Sequence, residues 1–200
     1  MIEDRAREDI ALIRRAIEDG AAYATAGSPD MLVWGIAVAI GYLGTYACIR
    51  GWVPVTPGLL WAACLGLPWL FSLRRVARGL AGREVRARGP MAQALAMLWF
   101  GCGIFFMTMG TAVNATGQAR YGWRNAVVAG VMGIGFFASA SLTRLAWLRW
   151  VAIAWWAGEL ALFALRHRLE ALPLAAALML LLLAGPGYVL MSRYARRAEA

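Results

Sequence analysis

Lysine is absent from this chain: all 20 of its basic residues are arginine. A GC-rich bacterial genome accounts for that bias, and it has one chemical consequence. No retinal Schiff base can form, which excludes a rhodopsin. There is a single histidine, His167, so bis-histidine haem and a histidine-based zinc triad cannot be assembled within one chain. Neither HExxH nor GxSxG occurs. The aspartates Asp4, Asp9, Asp19 and Asp30 all precede residue 31, which leaves no pair for an intramembrane aspartyl protease. Three cysteines, Cys48, Cys64 and Cys102, lie in apolar stretches, and an odd count there argues against a disulfide framework. Met97, Met107 and Met109 near Cys102 form a soft-ligand set on paper, but Met97 and Cys102 fall on different faces of a helix, which reads as packing. The expectation is a protein that is not an enzyme and that carries no cofactor and no metal.

Apolar residues make up 62% of the chain and are clustered. Uncharged runs cover residues 31–49, 51–73, 89–119, 125–143 and 171–192. Each is long enough to cross about 30 Å of hydrocarbon as a helix. A sixth segment, 145–165, is interrupted by Arg149 and Glu159. The sequence therefore predicts an all-α integral membrane protein with spans near 31–49, 55–73, 90–111, 125–143, 145–165 and 172–192. A cytoplasmic amphipathic helix and linker (1–27) precedes them and a short tail (193–200) follows. The first 30 residues are charged and lack an apolar signal core, so no cleaved signal is expected.

Six spans put both termini on one side. The segments on that side hold fifteen arginines, against five on the other: Arg50, Arg120, Arg124, Arg166 and Arg168. The positive-inside rule then places both termini in the cytoplasm of a bacterial inner membrane. Trp34, Trp52, Trp123, Trp147 and Trp150 fall near span ends, where interfacial anchors belong.

Residues 2–19 show helical periodicity. Ile2, Ala6, Ile10, Ile13 and Ile17 make one apolar stripe, and Glu3–Arg7, Arg5–Asp9, Arg14–Glu18 and Arg15–Asp19 are paired four apart. Six acids against four arginines suit protein better than an anionic lipid surface. The stripe, with Ile10, Ile13 and Ile17 at its centre, is expected to dock on protein, and "AGSPD" (26–30) to break the helix. The segment "RRVARGLAGREVRAR" (74–88) carries Arg74, Arg75, Arg78, Arg83, Arg86 and Arg88. It reads as a topology determinant touching anionic headgroups, with docking of the acidic helix as the sharper alternative. Nucleic acid is not an expected partner, because no aromatic residues alternate with these arginines.

Small residues within the spans, Gly41 and Gly44, "GCG" (101–103), Ala129 with Gly133 and Gly135 with Ser139, are expected to mark helix contacts. Pro68 should kink the second span. "AGPG" (184–187), centred on Pro186, is either a kink or a break lining a cavity. Glu159 is the one acid inside the predicted bilayer. It has three readings: an ion pair with Arg50, Arg120 or Arg124; a protonated carboxyl bonded to Tyr42, Tyr46, Thr45 or Asn114; or a proton or cation site.

"EDIALIRRAIEDG" followed by "LVWGIAVAIGYLGTYA" resembles the opening of small, uncharacterised bacterial inner-membrane proteins, some of them similar to products encoded beside winged-helix regulators. The resemblance covers about the first 50 residues and implies a regulatory or accessory role. The resulting expectation is a sensor or accessory protein that presents its N-terminal helix and arginine segment to a second copy or to a cytoplasmic protein. A small proton-coupled transporter or channel using Glu159 and the Gly185–Pro186–Gly187 break is the alternative.

Overall fold

The structure is a computed structural model that describes residues 28–81, 90–116 and 123–198. All of its regular elements are helical: α1 (Ser28–Ile49), α2 (Pro57–Ala81), α3 (Pro90–Ala115), α4 (Trp123–Thr143), α5 (Trp147–Ala164), α6 (Ala171–Met179), a π-helical turn (Leu180–Ala184) and α7 (Gly185–Ala198). The expected N-terminal helix lies outside the described residues.

Local chemistry sets the boundaries. "SPD" begins α1 rather than breaking the chain before it. Pro29 sits in the first turn, where its missing N–H is not needed, and Asp30 faces the positive end of the helix dipole. At the other end Gly51 is left-handed (φ 73). Trp52 N–H donates to the Ala47 carbonyl at 2.9 Å and Gly51 N–H to Cys48 at 3.1 Å, the two bonds of a Schellman cap. Pro57 and Pro90 open α2 and α3 in the same way as Pro29 opens α1. Between α4 and α5, Arg144 adopts φ 56 and the Thr143 hydroxyl accepts from Leu145 N–H at 3.4 Å. So short a link forces α4 and α5 into an antiparallel pair, and they meet along much of their length.

The helices follow one another in space as α2, α1, the α6–π–α7 run, α5, α4 and α3. The core lies between α1, α4, α5 and α6, where Phe136, Ala140 and Ala152 are fully buried and Trp155 nearly so. Glycines allow the close crossings. A Cβ at Gly35 would lie 2.6 Å from the Ala184 nitrogen, and one at Gly187 would lie 2.8 Å from the Ser28 carbonyl oxygen. In lipid such backbone approach is what holds helices together, since tails are as apolar as side chains. Gly41 instead makes room for a side chain, the Trp61 ring of α2. The "GCG" of α3 behaves differently from expectation. Its packing face is the heptad series Ala92, Leu95, Trp99, Cys102, Phe106 and Val113, and a Cβ on Gly101 or Gly103 meets nothing within 4 Å. The two glycines flank that face rather than form it.

Among the described residues, four segments are long and apolar enough to cross a membrane: Ser28–Ile49, Pro90–Val113, Trp123–Thr143 and Ala171–Ser192. The other two of the six expected spans fall outside that set. α2 runs into Arg74, Arg75 and Arg78, and α5 carries Arg149 and Glu159.

Candidate functional site

Glu159 stands on the α4 side of α5. The chain gives it room by placing Gly130 opposite: a Cβ there would lie 2.7 Å from the Glu159 Oε1. One turn along, Trp156 fills the space left by Gly133 and donates from Nε1 to the Gly130 carbonyl at 3.3 Å. Its ring lies tilted against Phe137, with centroids 5.7 Å apart. On the opposite side of α5, Gly158 receives Leu178 of α6, so a small residue beside the glutamate does admit a neighbouring helix. Among the described residues Glu159 makes no hydrogen bond and no ion pair.

Arg124, on the first turn of α4, is described and makes no ion pair with Glu159; the other expected partners are engaged elsewhere or lie outside the described residues. Arg50 donates to the Tyr46 hydroxyl at 3.3 Å and stacks on that ring. Thr45 donates to the Gly41 carbonyl at 2.7 Å and accepts from Trp61 Nε1 at 3.0 Å. Tyr42 is buried edge-on against Trp61. Arg120 and the side chain of Asn114 are outside the described residues. Arg166, two turns beyond Glu159, folds onto Phe163: its Cζ is 4.8 Å from the ring centroid and it donates to the Phe163 carbonyl at 3.1 Å. That closes the C-terminal end of α5 with a cation, as the helix dipole favours.

Pro186 is buried in α7, just beyond the π-turn. A proline at 186 has no N–H to give to the carbonyl of Leu182, four residues back. Trp155 of α5 donates to that carbonyl from Nε1 at 3.2 Å. At "AGPG", where a kink or a cavity-lining break was expected, the chain leaves a π-turn (Leu180–Ala184), packs on α1 through Ala184 and Gly187 and is bonded to α5 through the Leu182 carbonyl.

A second polar cluster joins α1 to α2. Arg75 donates to Asp30 Oδ2 at 2.7 Å, Ser72 donates to Asp30 Oδ1 at 2.8 Å, and Trp34 Nε1 donates to Ser72 Oγ at 3.3 Å. Trp34 also meets Trp69 edge-on. Sequence reasoning placed Arg75 among the partner-contact residues and passed over Asp30. The available signal was the antiparallel α1–α2 pair, which puts the first turn of one helix beside the last turns of the other. Arg74 is exposed beside this cluster. The side chains of Arg78, Arg83, Arg86 and Arg88, and the whole of Ile10, Ile13 and Ile17, lie outside the described residues. No group of histidine, cysteine or acidic residues suited to a metal occurs among the described residues.

No family model, curated protein or solved structure matches the chain.

Proposed function

We propose that the chain is a six-span inner-membrane accessory or sensor protein, not an enzyme, with both termini in the cytoplasm. It would present residues 2–19 and the arginine segment 74–88 to a protein partner and to anionic headgroups. The observation that carries this reading is the 2.7 Å ion pair between Arg75 and Asp30. Asp30 stands eleven residues beyond the end of the 2–19 segment, and Arg75 is the second residue of the arginine segment. Tying the two together puts the first turn of α1 beside the first arginines of that segment, which suits a composite docking surface. Purification of the full chain from its native membrane, gently solubilised, tests it. A partner present in stoichiometric amount, and lost on Ile13→Arg, is the expected result. A chain that purifies alone with both segments intact overturns the reading.

A small proton-coupled transporter is the second reading, and it is favoured by the Glu159 carboxyl, which has no partner among the described residues. An intramembrane acid without a counter-charge is a functional site by default. Proton flux into liposomes that is abolished by Glu159→Gln in a folded protein is the expected result; flux unchanged by that substitution removes it.

A further inference from the structure

We propose that the turn joining α1 to α2 holds an anionic phospholipid, with the Arg50 guanidinium on its phosphate and the apolar residues of the turn among its acyl chains. The site is separate from both readings above and needs only that α1 crosses the bilayer. Arg50 stands 20 positions after Asp30. As helix that is about 30 Å, the thickness of the hydrocarbon. With Asp30 and Arg75 paired at one boundary of the membrane, Arg50 arrives at the opposite one. It arrives without a counter-charge. No acidic residue occurs between Asp30 and Glu84, and Arg50 makes no ion pair among the described residues. The acids described elsewhere do not serve it either: Asp30 is taken by Arg75, Glu159 rests on Gly130, and Glu170 in the α5–α6 turn forms no pair with it.

The side chain is held ready for an anion. The Schellman cap of α1 turns Trp52 back onto Tyr46, with ring centroids 5.7 Å apart. Arg50 lies against the same tyrosine, its Cζ 5.5 Å from the ring centroid, and donates from Nε to the Tyr46 hydroxyl at 3.3 Å. That bond takes the Nε donor. The donors on Nη1 and Nη2 have no partner among the described residues, and they match two oxygens of one phosphate. The surroundings choose the source of that phosphate. Ile49, Trp52, Val53, Val55 and Leu59 are all exposed, Trp52 by 68%. Pro54 and Pro57 remove two N–H groups that lipid could not satisfy. A soluble anion gains nothing from such a collar, whereas a phospholipid places its chains there and its phosphate at the arginine. A lipid of net negative charge is favoured over a zwitterionic one, because no carboxylate of the turn offsets Arg50 and a headgroup ammonium would be repelled.

The test uses brominated phosphatidylglycerol at low fraction in phosphatidylcholine nanodiscs that hold the full chain, read as quenching of Trp52 fluorescence. The Trp52 signal is the difference between each protein and its own Trp52→Phe partner. The expected result is several-fold more quenching than brominated phosphatidylcholine gives at the same fraction. That excess should disappear in Arg50→Gln and fall several-fold in Arg50→Lys, which keeps the charge and loses the two-pronged fit. Arg50→Lys decides the matter if Arg50→Gln does not fold. Inorganic phosphate in the buffer, compared with chloride at equal ionic strength, should leave the excess in place. Equal quenching by the two lipids overturns the proposal. So does an excess of wild-type size in a folded Arg50→Gln protein or in Arg50→Lys, or an excess that inorganic phosphate removes.

Discussion

Replacing Trp155 with phenylalanine should weaken the bundle through one identifiable bond. The Leu182 carbonyl has no α-helical donor, because position 186 is proline, and it is served by Trp155 Nε1 at 3.2 Å. Trp155 is 1% exposed, so water cannot replace the lost donor. A buried carbonyl left unsatisfied costs about 1–3 kcal/mol. Interhelical hydrogen bonds in membranes measure nearer 0.6 kcal/mol, up to roughly 1.7. The bond is therefore expected to account for about 1 kcal/mol, with loss of indole volume adding to the effect of the substitution. A double-mutant cycle separates the two. Pro186→Ala returns a backbone N–H to position 186, four residues from Leu182, and offers the carbonyl a second donor. Trp155→Phe should then destabilise by about 0.5–1 kcal/mol less in the Pro186→Ala background than in wild type. Reversible unfolding in mixed micelles, followed by circular dichroism, supplies the four free energies. Strict additivity would refute the claim that the tryptophan stands in for the donor the proline removes.

Other substitutions probe the remaining contacts. Arg144 holds φ 56, where a side chain is disfavoured by about 1–2 kcal/mol and glycine is not. Micelle unfolding should rank Arg144→Gly at or above wild type and Arg144→Val clearly below it; the reverse order contradicts the turn geometry. Asp30→Ala should cost about 1 kcal/mol or less, given side chains 32% exposed on both partners of the pair, and most of that should vanish when Arg75 is already alanine. Gly35→Leu should disrupt folding by at least about 1–3 kcal/mol through overpacking on Ala184, whereas Gly101→Leu should be close to neutral.

Much of the helical layout could be read before the structure. Long uncharged runs bounded by arginine fix where helices lie, because lipid leaves no alternative for an unpaired backbone. Boundaries shifted where local chemistry outvoted hydropathy. "SPD" joined α1 because proline and aspartate are good first-turn residues. What could not be read was which residue meets which. Gly35, Gly133 and Gly187 sit at crossings while Gly101 and Gly103 do not, and nothing in the letters distinguishes them. Contact depends on the order in which the helices assemble. The same applies to Glu159: its place on an apolar helix was legible from the charge pattern, but its neighbour, Gly130, is 29 positions away and carries no chemical label. Trp155 was similarly opaque, because its role exists only through the proline on another helix.

Topology tests the central claim, that the N-terminal segment and the arginine segment share the cytoplasmic face of a six-span protein. Paired reporter fusions should be placed after Ala200, within residues 79–83 and near Gly117 of the full chain in a bacterial host. The first two should be active as cytoplasmic reporters and the third as an external one, following the split of fifteen arginines to five. An external C-terminus, or an external 79–83 segment, would place the two proposed contact surfaces on the wrong side or on opposite sides and would contradict the account.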